Sequence, residues 1–340
     1  MSKVVLFGEI MLRLSPKGFN RFTQADTFDV NYGGSEANVA VSLSNFDVDA
    51  KFVTKLPNNE IGQSAFNKLR QFGVNTSNII FDGERLGIYY LEKGASQRPS
   101  KVIYDRDNSA ISKSSIAEFN WDEIFKGAKW FHFSGITPAL SDNLAEICLI
   151  ACKKAKELDL IISCDLNYRA KLWSQDKANN VMSNLMEYVD ICIANEEDIE
   201  KVFGIKANNT DVNKGKLDYE SYKDVAKELL DKFNLSKVAC TLRTSISASD
   251  NKWSAMLFDG KEFYQSKEYD IHIVDRVGGG DSFVAGLIYG FLSDFSNQDS
   301  LEFATAASCL KHSIEGDFNL VSVSEVENLI QGNESGRVQR

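Results

Sequence analysis

Short runs rich in β-branched and aromatic residues alternate with longer stretches of helical periodicity along most of the chain, and no other feature limits the fold so strongly. Strands are predicted at 3–7, 51–54, 129–133, 160–164, 190–194 and 237–241, with helices between them near 36–46, 60–72, 141–158, 176–187, 196–203 and 219–232. Strand runs without a polar face need cover on both sides. The pattern therefore predicts an α/β protein with a mostly parallel central sheet and helices on both of its faces. Helices near 281–293, 299–313 and 323–330 complete the body, and the polar tail 331–340 is expected to fray.

Two segments break the alternation. Residues 11–32 and 86–111 read as strands with charged and aromatic residues interleaved and no helix between them. They predict either a small sheet projecting from a single domain, 1–340, and placed to act as a lid over a ligand crevice, or edge strands capping the main sheet. An exposed edge on such a sheet also predicts pairing with a second copy, hence a homo-oligomer.

With 340 residues, 43% of them hydrophobic and only 4 prolines, the chain has ample core material and no disordered linker. A net charge of −10 argues against a broad nucleic-acid or anionic-membrane surface, so any anion site must be a local pocket. No apolar run approaches the roughly 20 residues that span a bilayer, and the first ten residues read as a strand and not as a cationic leader. The expectation is a cytoplasmic protein with small-molecule partners, no nucleic acid and no membrane. Its six cysteines sit in apolar runs without a CxxC pair, and its three histidines lie far apart, so neither supports a metal centre.

In open α/β sheets ligands gather beyond the carboxyl ends of the strands. Those ends are polar here: Asp165, Asn167 and Arg169 follow one strand, Asn195, Glu196, Glu197 and Asp198 the next, and Thr241 and Arg243 a third. Two glycine-rich turns also open apolar helices, Gly33-Gly34-Ser35-Glu36-Ala37-Asn38 and Gly278-Gly279-Gly280-Asp281. Glycines let consecutive amides converge on one point and a helix start adds its positive end, which suits a phosphate. Asp281 beside such a nest can accept a hydroxyl proton, and the pairing points to phosphoryl transfer to an alcohol. Taken singly, Ser35 reads as a helix cap and Asp281 as an acidic first-turn residue.

Gly33-Gly34 with Asn38, together with the later Gly-Gly-Gly-Asp run, resembles the paired signatures of the ribokinase-like, or PfkB, family of sugar kinases. The strand and helix order and the lid segments fit over essentially the whole chain. Within the family, Gly8-Glu9-Ile10-Met11-Leu12-Arg13, Val102-Ile103-Tyr104-Asp105-Arg106 and Asp165-Leu166-Asn167-Tyr168-Arg169 most resemble members that phosphorylate 2-keto-3-deoxygluconate. The resemblance implies a ribokinase-like fold, ATP and Mg²⁺ as cofactors, Asp281 as base for the terminal sugar hydroxyl, and the amides of Gly278, Gly279 and Gly280 as anion hole. It implies Gly34, Asn38, Tyr90, Tyr104, Arg106, Arg169 and Asp317 on the sugar-acid side, although Asp317, after Gly316, equally reads as part of a helix C-terminal turn. Asn167, Arg169, Asn195, Thr241, Arg243, Gly278 and Gly280 fall to the nucleotide. Asn195 to Asp198 resembles the family's N-x-x-E element for magnesium, and the shorter Asp198 is expected to act through a metal-bound water.

Period-two alternation puts Val102, Tyr104 and Arg106 on one strand face, where Arg106 can make a paired hydrogen bond to a sugar-acid carboxylate. The alternative for Arg106 is a surface pair with Asp105 or Asp107. Asp275-Arg276 stands where the family has Asp-Thr, and 241–249 lacks the glycines of the family's nucleotide loop, which leaves the choice between ATP and another phosphoryl donor open. Fructokinase or another family sugar kinase is the close alternative, and a noncatalytic sugar-sensing protein is the alternative of a different class. A dinucleotide-dependent oxidoreductase is disfavoured because the first strand leads to Gly8-Glu9 and not to GxGxxG.

Overall fold

A computed structural model describes residues 3–206 and 219–332; the expected tail lies outside the described residues from 333 on. In chain order the strands are β1 (Lys3–Phe7), β2 (Met11–Pro16), β3 (Phe28–Gly33), β4 (Asp49–Val53), β5 (Lys55–Leu56), β6 (Ile80–Phe81), β7 (Ile88–Glu92) and β8 (Lys101–Asp105). There follow β9 (Ala128–Ser134), β10 (Ile161–Asp165), β11 (Ile191–Ala194), β12 (Lys237–Ser245), β13 (Asp250–Phe258), β14 (Phe263–Gln265) and β15 (Tyr269–His272).

The large sheet runs β14-β13-β12-β11-β10-β9-β1-β4, with β15 also paired to β13. From β4 to β12 every pairing is parallel, and β13, β14 and β15 extend the sheet antiparallel. Strand β1 shows why the sheet is covered on both faces: Val5 and Phe7 join one hydrophobic cluster while Val4 and Leu6 join the other. The cysteines are all free, and all but the half-buried Cys309 are buried.

Two expectations need correction. Strand β12 continues to Ser245, so residues 241–245, read as a loop, are strand. The antiparallel strands β13, β14 and β15 carry no sequence prediction: the β12–β13 connection at 246–249 is Ser-rich and lacks an Asn-Gly or Asp-Gly pair, whereas Asp259-Gly260 between β13 and β14 is a hairpin signal that the reading missed.

The two lid segments form a separate sheet ordered β3-β2-β7-β8. One face carries Met11, Tyr89 and Leu91 toward the body, joined by the half-buried Tyr104. On the other face the pairings Leu14 with Val30, Leu14 with Tyr90 and Tyr90 with Ile103 draw an apolar row across all four strands, and Val30 and Ile103 are exposed. Among the described residues no helix is long and apolar enough to cross a membrane.

Candidate active site

The helix Gly279–Leu292 begins where the chain leaves β15, and Gly278 is its N-cap with φ +84. Helix geometry leaves the first amides without an acceptor inside the helix. The Gly279 amide still reaches the Arg276 carbonyl at 3.4 Å. A Cβ on Gly278 would stand 2.0 Å from the Asp317 carbonyl oxygen, whereas a Cβ on Gly280 would meet no protein atom within 4 Å. Gly278 is therefore needed by the fold, and the space beside Gly280 is open to the cavity that this residue helps to line.

Asp281, in the first turn of this helix, accepts from Ser35 Oγ at 2.8 Å on one carboxylate oxygen and from Asn38 Nδ2 at 2.7 Å on the other. Both donors come from the helix Ser35–Asn45, which the other glycine turn opens. Burial pushes the Asp281 carboxyl above its usual range, and these two hydrogen bonds oppose the shift. Ser35 does not cap its helix, since Gly34 is the N-cap; its hydroxyl serves Asp281 and accepts from Asn167 Nδ2 at 3.2 Å.

These groups face a cavity of about 640 Å³ between the carboxyl ends of the parallel strands and the lid. Every candidate residue named from the sequence lies on its wall except Tyr90. Tyr90 packs on Phe28 at 6.0 Å on the far side of the lid, and its neighbour Tyr89 takes the cavity face. The alternation of β7 was legible, but which of two adjacent tyrosines points inward depends on register with β2.

The model of the pfkB family of carbohydrate kinases matches residues 1–319. The chain belongs to this family. The crystal structure of a 2-dehydro-3-deoxygluconokinase from Thermotoga maritima is 55% identical to this PfkB kinase, with a TM-score of 0.94 over 98% of this chain and 100% of that one. A 2-dehydro-3-deoxygalactonokinase from Haloferax volcanii is 32% identical, covering 98% of each chain. A 2-dehydro-3-deoxygluconokinase from Bacillus subtilis is 27% identical over 93% of this chain and 91% of that one.

The wall of the PfkB kinase's cavity is strongly charged. Thr241, Arg243 and Ser245 line it from alternate positions of β12, and Arg276 stands close enough to Arg243 that burial and this second cation both lower its pKa. Two neighbouring guanidinium groups favour a multiply charged anion. Arg276 Nη2 donates to the Ala248 carbonyl at 3.1 Å, which holds it against the hairpin joining β12 and β13.

Asn195 caps the helix Glu196–Phe203: its Oδ1 accepts from the Asp198 amide at 2.9 Å, and its Nδ2 donates to Asp198 Oδ2 at 2.8 Å. Burial pushes the Asp198 carboxyl up to about 6 against the pull of Arg169. Asp165, at the end of β10, is raised by burial and then by Asp198 and Asp281. Among the described residues no group of three or more His, Cys, Asp or Glu side chains could enclose a metal ion. An oxygen donor set of one or two carboxylates that shares a cavity with a phosphate nest does fit magnesium, which keeps several waters and takes phosphate oxygens.

Four residues of the site carried no functional prediction. Arg13, 1% exposed, comes from lid strand β2 and donates from Nη2 to Asp275 Oδ2 at 2.5 Å and from Nη1 to Asp317 Oδ1 at 2.7 Å. Tyr89 donates to the other oxygen of Asp317. Asp317 thus lines the cavity with both oxygens already engaged by the lid. Asp275 holds the turn itself, its Oδ1 accepting from the Val277 amide at 3.2 Å. Arg106 does not pair with Asp105, which binds Arg85 at 2.8 Å; its partner is the buried Glu9. Partners this far apart in the chain leave no local signal.

Proposed function

We propose that this PfkB kinase transfers the γ-phosphoryl group of ATP to the terminal hydroxyl of 2-keto-3-deoxygluconate, also called 2-dehydro-3-deoxygluconate. The observation that carries the reading is Asp281, gripped by Ser35 and Asn38 at the start of a glycine-opened helix inside a cavity lined with arginines.

Asp281 takes the proton of the sugar hydroxyl as its oxygen bonds to the γ-phosphorus, while the bond to the β-phosphate oxygen breaks and ADP leaves. Such transfers depend on alignment and on stabilising the phosphoryl oxygens, which the Gly278 to Gly280 turn offers through its amides. Arg243 and Arg276 suit the remaining phosphates. Asn195 and Asp198 would hold magnesium beside the phosphates, where it would supply positive charge to the phosphoryl oxygens. Arg106 and Arg169 suit the substrate carboxylate. The outer row Val30, Leu14, Tyr90 and Ile103 fits a homo-oligomer formed through the lids, which sedimentation would read.

The Thermotoga neighbour supports the gluconate substrate. The Haloferax relative supports a second reading, the galactonate analogue with the same carboxylate. A coupled ADP-release assay over both sugar acids and fructose tests these readings. The expected result is a kcat/KM for a sugar acid at least about 100-fold above that for fructose, the worth of a charged hydrogen-bonded group. Equal efficiency on fructose would overturn the sugar-acid reading, and no sugar-dependent ADP release would leave a sugar-sensing protein.

A further inference from the structure

Glu9 sits just past the end of β1 and is 3% exposed; Arg106, just past the end of β8, is 6% exposed. Arg106 donates to Glu9 Oε2 from Nε, at 3.0 Å, and from Nη2. The other carboxylate oxygen of Glu9 accepts from Ser109 Oγ at 2.6 Å. The Arg106 guanidinium also lies over the Tyr104 ring, 5.5 Å from its centroid. One edge of the guanidinium is therefore saturated and one face is covered.

A guanidinium carries five N–H donors in a rigid fork. Glu9 takes the Nε hydrogen and one from Nη2, which leaves the second Nη2 hydrogen and both on Nη1. Those two nitrogens form the end-on fork that matches a carboxylate with two parallel bonds. Arg106 lines the active-site cavity, as well as a smaller cavity beside it, and among the described residues this remaining fork has no protein acceptor. We infer that Glu9 is the positioning residue for substrate selection: it holds Arg106 so that the free Nη1 and Nη2 fork grips the carboxylate of a 2-keto-sugar acid. The inference rests on the sugar-acid reading above.

Two effects of Glu9 oppose each other. Its negative charge weakens the pull of Arg106 on any anion, while its two hydrogen bonds remove the rotamer freedom that a long arginine would otherwise lose on binding. Charge and positioning predict opposite results when the Glu9 side chain is removed. A carboxylate that only balanced charge would be missed little, and substrate would bind more tightly without it. A positioning carboxylate leaves the fork misdirected when it is removed.

The test compares Glu9→Ala, Ser109→Ala and Arg106→Gln in the full-length enzyme, by initial rates against 2-keto-3-deoxygluconate and against ATP separately. Alanine is used at position 9 because a glutamine oxygen could still accept both Arg106 bonds. For Glu9→Ala the sugar-acid KM is expected to rise about tenfold with kcat within about twofold and the ATP KM unchanged. Ser109→Ala, which frees only the far oxygen of Glu9, is expected to raise the same KM about two- to threefold. An unchanged or lowered sugar-acid KM in Glu9→Ala, while Arg106→Gln raises it, overturns the role of Glu9 and leaves the sugar-acid reading standing. If Arg106→Gln itself leaves that KM unchanged, the carboxylate reading of Arg106 fails and this inference with it. Should Glu9→Ala fail to fold or move both KM values together, Ser109→Ala decides: a rise confined to the sugar acid supports the inference and no change overturns it.

Discussion

Asn38 Nδ2 lies 2.7 Å from Asp281 Oδ2, one of two side-chain hydrogen bonds by which the helix Ser35–Asn45 holds this carboxylate at the floor of the cavity. With Ser35 on the other oxygen, the carboxylate is held in one orientation by the helix that opens at Gly34. Asn38, expected as a sugar ligand, has its side-chain amide nitrogen engaged by Asp281.

Asp281→Asn keeps the shape of the side chain and removes its basicity. The variant is expected to fold, with kcat reduced by about 10²- to 10⁴-fold, the usual worth of a general base. Steady-state rates with a thermal melt as folding control make the measurement, and near-normal turnover would refute the assignment.

As the proposed base, Asp281 must be deprotonated, and burial raises its pKa above 3.8, so the acid limb of the kcat profile should lie above the ordinary carboxylate range. Asn38→Asp would set a second carboxylate beside it. Like charges at this distance cannot both ionise freely, so the limb should move up by about one pH unit or more. A profile of kcat between pH 4 and 9 reads the shift; an unmoved limb would show that another group controls it.

The glycines of the run should separate into two classes. Gly278→Ala forces a Cβ onto a residue at φ +84 and 2.0 Å from the Asp317 carbonyl, and should cost about 2 kcal/mol of stability or more. Gly280→Ala meets no protein atom and should leave the denaturation midpoint unchanged while raising the ATP KM or lowering kcat. Urea titration beside initial rates distinguishes them, and a stability loss at Gly280 would contradict its place beside the ligand.

Glu36 is fully buried at the start of the helix Ser35–Asn45, where Oε1 accepts from the Ser134 amide and hydroxyl and from Thr137 Oγ1. Burial lifts its carboxyl to about 7 from 4.5 against those hydrogen bonds. A raised carboxyl binds its proton more tightly folded than unfolded, so its contribution is complete below 4.5 and is lost as pH rises through about 7. The native protein should lose about 3 kcal/mol across that window from this group. Glu36→Gln should not show that loss. Urea unfolding at pH 5 and pH 8 compares the two, and parallel pH dependences would place the ionisation elsewhere.

Much of the fold and the chemistry was legible locally. Strand β1 spans 3–7 as predicted, and β10 and the helix Glu196–Phe203 lie within a residue of their predicted bounds, because hydrophobic periodicity is a local property. The glycine runs marked their turns for the same reason, and the alternation of β8 put Val102, Tyr104 and Arg106 on one wall. The lid also separated early, since its segments lack the intervening helices that a parallel crossover requires.

What the chain alone settled is therefore periodic or contiguous: an α/β body, a small sheet of separate strands, two glycine turns and an aspartate beside one of them. Only the tertiary structure decided that Tyr89 and not Tyr90 turns inward, that Glu9 rather than Asp105 or Asp107 holds Arg106, and that Arg13 reaches Asp317 across a sequence separation of 304 residues. The reason is physical. A buried charge must find its counter-charge wherever packing brings one near, and that partner is set by strand register and helix docking, which no single stretch of sequence contains.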